Sequence, residues 1–249
     1  MTPGLAALLA GAGFVAGGVN AVAGGGSLIS FPALLAGGVP SVPANVTNTV
    51  ALWPGYVGGA VGYRHEVVKQ WRRLVAFGPI SVLGAVVGAA VLLNTPAHVF
   101  TSVVPWLVLG GTLLFAAQPF ASRVVRTSSA HGDSAGGRVG VALASVYGAY
   151  FGAGLGVMLL AVLGLSVDGD LQELNGLKNT LSLVINTVAL IAFALFGPVR
   201  WLAVLIMAIA SLFGGFAGAM VARRLSPKVL RAAVTALGIG VSVTLFVKN

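Results

Sequence analysis

A polytopic, all-α membrane protein built from two inverted repeats is the fold class this sequence predicts, and three observations predict it. The chain is too apolar for water: 57% of its 249 residues are hydrophobic and 8% are charged, against about 25% charged in a typical soluble domain. Its second half repeats the first. Each half also carries a glycine-rich break inside an apolar run, Val22-Ala23-Gly24-Gly25-Gly26-Ser27-Leu28-Ile29 and Tyr150-Phe151-Gly152-Ala153-Gly154-Leu155-Gly156-Val157.

The composition excludes several functions. A net charge of +9 would suit nucleic acid, but the basic residues lie between apolar runs rather than on one face, as cytoplasmic loops of a membrane protein do. The absence of Cys removes disulfides and thiolate chemistry. Three His, at 65, 98 and 131, and five acidic residues leave no metal cage and no carboxylate pair, so no cofactor is expected. No membrane Ser is followed at helical spacing by a His or Lys base, which argues against intramembrane hydrolysis. Ala21-Val22-Ala23 has the small residues of a signal-peptide cleavage site. However, Met1-Thr2-Pro3 lacks a cation and the pattern returns near Phe151, so the first segment reads as retained.

In chain order, an apolar run over about 4–22 approaches the length of a span. A shorter piece over about 27–37 follows the triple glycine and ends at Gly37-Gly38-Val39-Pro40. Pro43 suits the first turn of a helix over about 43–63. The charged stretch 64–73 separates that helix from one at about 72–93. Asn94-Thr95-Pro96 then turns the chain into a helix at about 97–120. The expected organisation is a first repeat at 1–120, a linker at 121–138 and a second repeat at 139–249.

The repeat is read from residues. Ser81-Val82-Leu83-Gly84-Ala85-Val86-Val87-Gly88-Ala89 matches Ser211-Leu212-Phe213-Gly214-Gly215-Phe216-Ala217-Gly218-Ala219 at a shift of 130, and Trp71/Trp201 and Gly110/Gly240 obey the same shift. Asn48 and Asn179 are 131 apart. Such duplication is a signature of transporters. If each broken segment re-enters, each half crosses three times and the second half is inverted. The stretches 64–73, 123–138 and 223–231 then share a side carrying eleven Lys and Arg against two opposite, with Lys178 in the membrane. If the segments cross fully, the split is nine to four. The positive-inside rule selects the inverted arrangement, with the three basic stretches cytoplasmic.

The residues that could carry chemistry gather at the breaks. Gly24, Gly25 and Gly26 leave backbone amides uncovered, and a half-helix starting near Ser27 aims its positive end into the membrane, where an anion would be held. Gly154, Leu155 and Gly156 offer the same from the other side. About twenty residues beyond each break lies a polar cluster: Asn45, Thr47 and Asn48 in the first half, and Asn175, Lys178 and Asn179 in the second. Asn175 and Asn179 share a helix face, with Lys178 three residues from Asn175. A cation in an apolar helix marks a functional site by default; the bland alternatives are snorkelling to an interface and pairing with Asp168, Asp170 or Glu173 on the preceding turn. Helix-to-helix hydrogen bonding is the bland account of any single Asn, and of Asn20 and Asn186 in particular. The pairs Gly84/Gly88 and Gly214/Gly218 read as close-packing positions.

At these motifs the sequence resembles the sulfite exporter TauE/SafE family of membrane transporters, also called the toluene-sulfonate uptake permease family. The resemblance rests on Gly17 to Ser27, Pro32 and Ala44-Asn45-Val46-Thr47-Asn48. In the second half it rests on Gly148 to Gly156 and Asn175-Gly176-Leu177-Lys178-Asn179. It implies a bacterial inner-membrane carrier for sulfur-containing anions such as sulfite or sulfoacetate. Some relatives handle thiosulfate with cysteines, which this chain lacks. The expected partners are a small anion and the lipid bilayer, with no nucleic acid; a homodimer is left open. An anion channel and a non-transporting scaffold are the rival readings.

Overall fold

The computed structural model describes residues 1–22, 24–62, 68–120, 135–169, 171–221 and 227–248. Their regular structure is helical throughout. The first half contains α1 (Pro3–Val22), α2 (Ser27–Ala36), α3 (Ser41–Gly62), α4 (Trp71–Asn94) and α5 (Ala97–Ala116). The second contains α6 (Ala135–Tyr150), α7 (Leu155–Ser166), α8 (Leu171–Phe196), α9 (Trp201–Val221) and α10 (Pro227–Lys248). The helix expected at 97–120 pauses earlier, at a turn on Ala117. α6 begins at Ala135, inside the stretch expected to link the halves.

Local chemistry sets these boundaries. Gly24 and Gly152 sit at φ +81 and +78, in the left-handed region that only glycine enters without strain. Each therefore stops a helix where any other residue would resist. Gly38, at φ +79, does the same after α2. Thr95 is extended and Pro96 precedes α5 with φ −56, a proline-initiated helix start. α2 has 10 residues and α7 has 12, about 15 and 18 Å of helix. That is half of a bilayer core of about 30 Å.

Each broken segment folds back on itself. A Cβ added at Gly37, just past α2, would lie 2.6 Å from the side chain of Leu5 at the start of α1. One at Gly140, early in α6, would lie 2.7 Å from Val162, late in α7. Both hairpins thus return to the side they came from.

The packing scheme survives exchange of the halves. α1 packs on α9 as α6 packs on α4; α3 packs on α9 as α8 packs on α4; α2 packs on α10 as α7 packs on α5. Two pairs map onto themselves, α3 with α8 and α5 with α10. Both run antiparallel. On the first, Trp53 Nε1 donates to Thr187 Oγ1 at 2.9 Å, while Val46 reaches Gly197, beyond the other end of α8. On the second, Thr112 meets Gly238 and Trp106 stacks edge-on against Phe246 at 4.8 Å. An element antiparallel to its own counterpart requires a two-fold axis in the membrane plane, the geometry of inverted repeats.

Glycine lets the halves approach. Cβ atoms at Gly84 or Gly88 would run into Ala142, Ser145 and Val146 of α6, and one at Gly214 into the carbonyl of Phe14. These are the close-packing glycines the sequence singled out. Away from these seams α4 and α9 expose Leu83, Val86, Val87, Leu205, Ile209, Phe213 and Phe216, an apolar belt fit for lipid rather than water. Pro3–Asn20, Trp71–Asn94, Ala97–Ala116 and Gln172–Phe196 are each long and apolar enough to span a bilayer.

The two ends of the bundle differ in how many charged side chains line them. One end gathers Lys69, Arg72, Arg73, Asp168 and Glu173 around a cleft of about 450 Å³. The other brings Met1, Leu5, Gly38, Val39, Arg200 and Trp201 together around one of about 480 Å³. Residues 64–67, 123–134 and 223–226 of the three basic stretches lie outside the described residues.

Candidate functional site

The breaks meet in the middle of the molecule. A Cβ on Gly24 would lie 3.1 Å from Gly156 Cα, and Phe31 of α2 stacks edge-on against Phe151 at 5.3 Å. Asn45 crosses between halves, its Nδ2 donating to the Tyr150 carbonyl at 2.8 Å. Gly25 packs on the Phe115 ring. Non-helical backbone at this depth persists only because protein surrounds it.

Hydrogen bonds align the breaks more sharply than sequence does. Gly24 N–H donates to Val19 O and Gly152 N–H to Tyr147 O, each five residues back. Ser30 N–H donates to Gly26 O as Met158 N–H does to Gly154 O. The structural counterparts are therefore Gly24 with Gly152, Gly26 with Gly154, Ser27 with Leu155 and Ser30 with Met158. All are 128 apart, whereas Trp71 and Trp201 are 130 apart and Asn48 and Asn179 are 131 apart. Gly152 and Ala153 consequently belong to the second break as much as Gly154, Leu155 and Gly156 do.

In the first half the polar groups close on one another. Asn20 Oδ1 accepts the Gly26 N–H at 2.7 Å. Asn48 Nδ2 donates to Ser27 Oγ at 3.1 Å, and Ser30 Oγ donates to Asn48 Oδ1. All four side chains are buried. Asn20, whose sequence context suggested only a structural role, thus secures the N-terminus of α2. Substituting Asn20→Ala leaves the Gly26 amide buried and unpaired, at a cost of about 1–3 kcal/mol. A thermal melt in detergent should show the corresponding fall.

The second half lacks these partners. Position 148, the counterpart of Asn20, is glycine, and Leu155 and Met158 stand where the first half has Ser27 and Ser30. Among the described residues the N–H groups of Gly154 and Gly156 have no hydrogen-bond partner, as is true of Gly25 and Ser27 N–H in the first break. Asn179 is 8% exposed and its Nδ2 is buried without a partner. Lys178, 4% exposed, donates from Nζ to Asn175 Oδ1 at 3.0 Å. It makes no ion pair among the described residues.

A family model described as sulfite exporter TauE/SafE matches residues 9–245. The chain belongs to the sulfite exporter TauE/SafE family. It is similar to a probable membrane transporter protein, ORF9, of a Sinorhizobium species, with 26% identity over 97% of this chain and 92% of that protein. A probable membrane transporter protein of Haemophilus influenzae is 27% identical over 86% of this chain and 84% of its own length. The probable membrane transporter protein YfcA of Escherichia coli K12 is 27% identical over 85% and 77%. No solved structure matches. The protein is thus a multi-pass membrane transporter and not an enzyme.

Within this TauE/SafE transporter, Thr47 faces away from Asn45 and Asn48. Its hydroxyl oxygen accepts the Arg200 N–H at 3.0 Å, joining α3 to the start of α9. Two residues of helix rotate by about 200°, so the separation was implicit in the spacing. Tyr56, which no motif marked, meets the side chains of Asn20 and Asn186. Tyr147 Oη donates to Ala153 O at 2.7 Å and braces the second break. Tyr56 has no local signal, because it meets residues of α1 and α8 that only the fold brings to it.

Proposed function

We propose that this transporter moves sulfur-containing oxyanions, sulfite or an organosulfonate such as sulfoacetate, across the bacterial inner membrane by alternating access. The buried Lys178 carries this reading. A cation withdrawn from water into a membrane helix costs several kcal/mol unless an opposite charge meets it. Among the described residues Lys178 has only the neutral Asn175, and a bound anion would supply the missing charge. Asn179 Nδ2 and the open amides near Gly154 are donors, matching a ligand with several acceptor oxygens and no cation. The family's description as sulfite exporters supports the sulfur oxyanion. The antiparallel pairing of α3 with α8 supports one half rocking against the other. The end bearing Lys69, Arg72 and Arg73 is the cytoplasmic one on the positive-inside rule.

Counterflow tests the reading. Proteoliposomes preloaded with unlabelled sulfite or sulfoacetate should transiently concentrate the labelled anion from outside. A channel would equilibrate label without overshoot, and a scaffold would admit none; either result sinks the proposal.

A further inference from the structure

We propose that the cleft beside Lys69, Arg72 and Arg73 is the mouth through which the anion reaches Lys178, and that the cleft at the other end of the bundle is the same mouth repeated on the opposite face. The inference rests on the anion-transport reading above and gives the anion its route.

The two clefts are one feature, duplicated. Lys69, Gln70, Arg72 and Arg73 line the first, at the start of α4. Their counterparts 130 residues on fall among Val199 to Ala203, which line the second at the start of α9. The facing walls match as well, since Asp168 and Gly169 stand 130 residues after Gly38 and Val39. A two-fold axis in the membrane plane carries one cleft onto the other and so sets them on opposite faces. Volumes of about 450 and 480 Å³ leave room for a small oxyanion and many waters, at about 30 Å³ each.

The floor of the second cleft shows what lies at the floor of the first. At the second, Thr47 Oγ1 accepts the N–H of Arg200, a lining residue, at 3.0 Å. The counterpart of Arg200 is Gln70, and that of Thr47, at the shift of 131 relating Asn48 to Asn179, is Lys178. The two-fold therefore sets Lys178 beside Gln70. The ammonium points the same way: Nζ donates to Asn175 Oδ1 at 3.0 Å, one turn back toward the start of α8. Asn175 is half-buried and two residues from Glu173, a wall of the first cleft. Gln70 is buried, and Arg73 Nη1 donates to its Oε1 at 2.6 Å. A Cβ on Gly169 would lie 3.5 Å from the same nitrogen, so the Arg73 guanidinium stands between the two walls. An entering anion meets Arg73 first and Lys178 next. Asp168 and Glu173 temper the attraction, so that the anion moves on.

The chain has no Cys, so one introduced cysteine is the only thiol to react. The test labels single-cysteine variants of the full chain with a bulky, charged, membrane-impermeant maleimide in sealed vesicles of each orientation. Arg72→Cys and Leu202→Cys, at exposed counterpart positions of the two mouths, should react from opposite faces. Asn175→Cys should react from the Arg72 face only. Sulfoacetate counterflow in proteoliposomes gives the second reading: coupling the maleimide to Arg72→Cys should remove most of the rate that the uncoupled variant shows. Lys69→Cys, on the same wall, replaces it if the uncoupled variant is inactive. Reaction of Asn175→Cys from the Leu202 face or from neither overturns the inference, as does labelling of Arg72→Cys and Leu202→Cys from one face. Should Asn175→Cys fail to fold, the coupling result decides. Full counterflow after complete coupling, in a chain whose wild type transports, overturns this inference alone. A wild type without sulfite or sulfoacetate counterflow overturns the anion-transport reading itself, and this inference with it.

Discussion

Lys178→Met should abolish sulfite counterflow, lowering its initial rate by about a hundredfold or more, while raising the melting temperature of the protein in detergent. The two effects have one origin. Lys178 is a buried cation whose partner among the described residues is Asn175, and an apolar side chain of similar length removes its desolvation cost. With the anion bound, the same charge is the principal attraction, and truncating one partner of such a pair costs about 2–5 kcal/mol. A residue kept for stability would give the opposite pairing, a lower melting temperature with transport retained. Initial counterflow rates and melts on one preparation separate the cases.

Gly214→Leu is expected to be among the most disruptive single substitutions in the fold. An added Cβ would overlap the Phe14 carbonyl on α1, so α9 and α1 would have to separate along their whole contact. Overpacking typically costs about 1–3 kcal/mol where neighbours can shift, and backbone cannot shift locally. The expected result is loss of the monodisperse species, or a melting temperature lower by about 10 °C or more. Gly240→Leu is the control, because nothing lies within 4 Å of its Cβ position. Equal behaviour of the two variants would show that the α1–α9 seam does not depend on glycine.

The contrast between Gly214 and Gly240 also shows where sequence stopped being informative. Both obey the 130-residue shift, with Gly84 and Gly110, yet only the pair 84 and 214 meets a neighbouring backbone. The helix ends were legible because glycine, proline and charge punctuate the apolar runs; α1 through α4 begin and end within about two residues of the expected limits. The inverted arrangement followed from basic residues alone, and the antiparallel α3 and α8 agree with it. The register of the breaks was not legible. Glycine-rich stretches align almost equally well at 128 or 130, and only the bonds of Gly24 to Val19 and Gly152 to Tyr147 separate them. Until that offset is known, Leu155 cannot be matched with Ser27, and the open donor on Asn179 has no visible cause. Lys178 stood out early because one charge in an apolar helix needs no alignment to be noticed.

The self-pairing of α3 with α8 and of α5 with α10 bears on why both copies share a single chain. Two separate half-length molecules, one inserted upside down, could make the same contacts, but they would be identical. Each would carry a lysine in the membrane or neither would, and each would carry the same serines beside its asparagine. Covalent fusion frees the copies from that equality. One copy is then at liberty to pair its serines with its asparagine, and the other to carry the lysine.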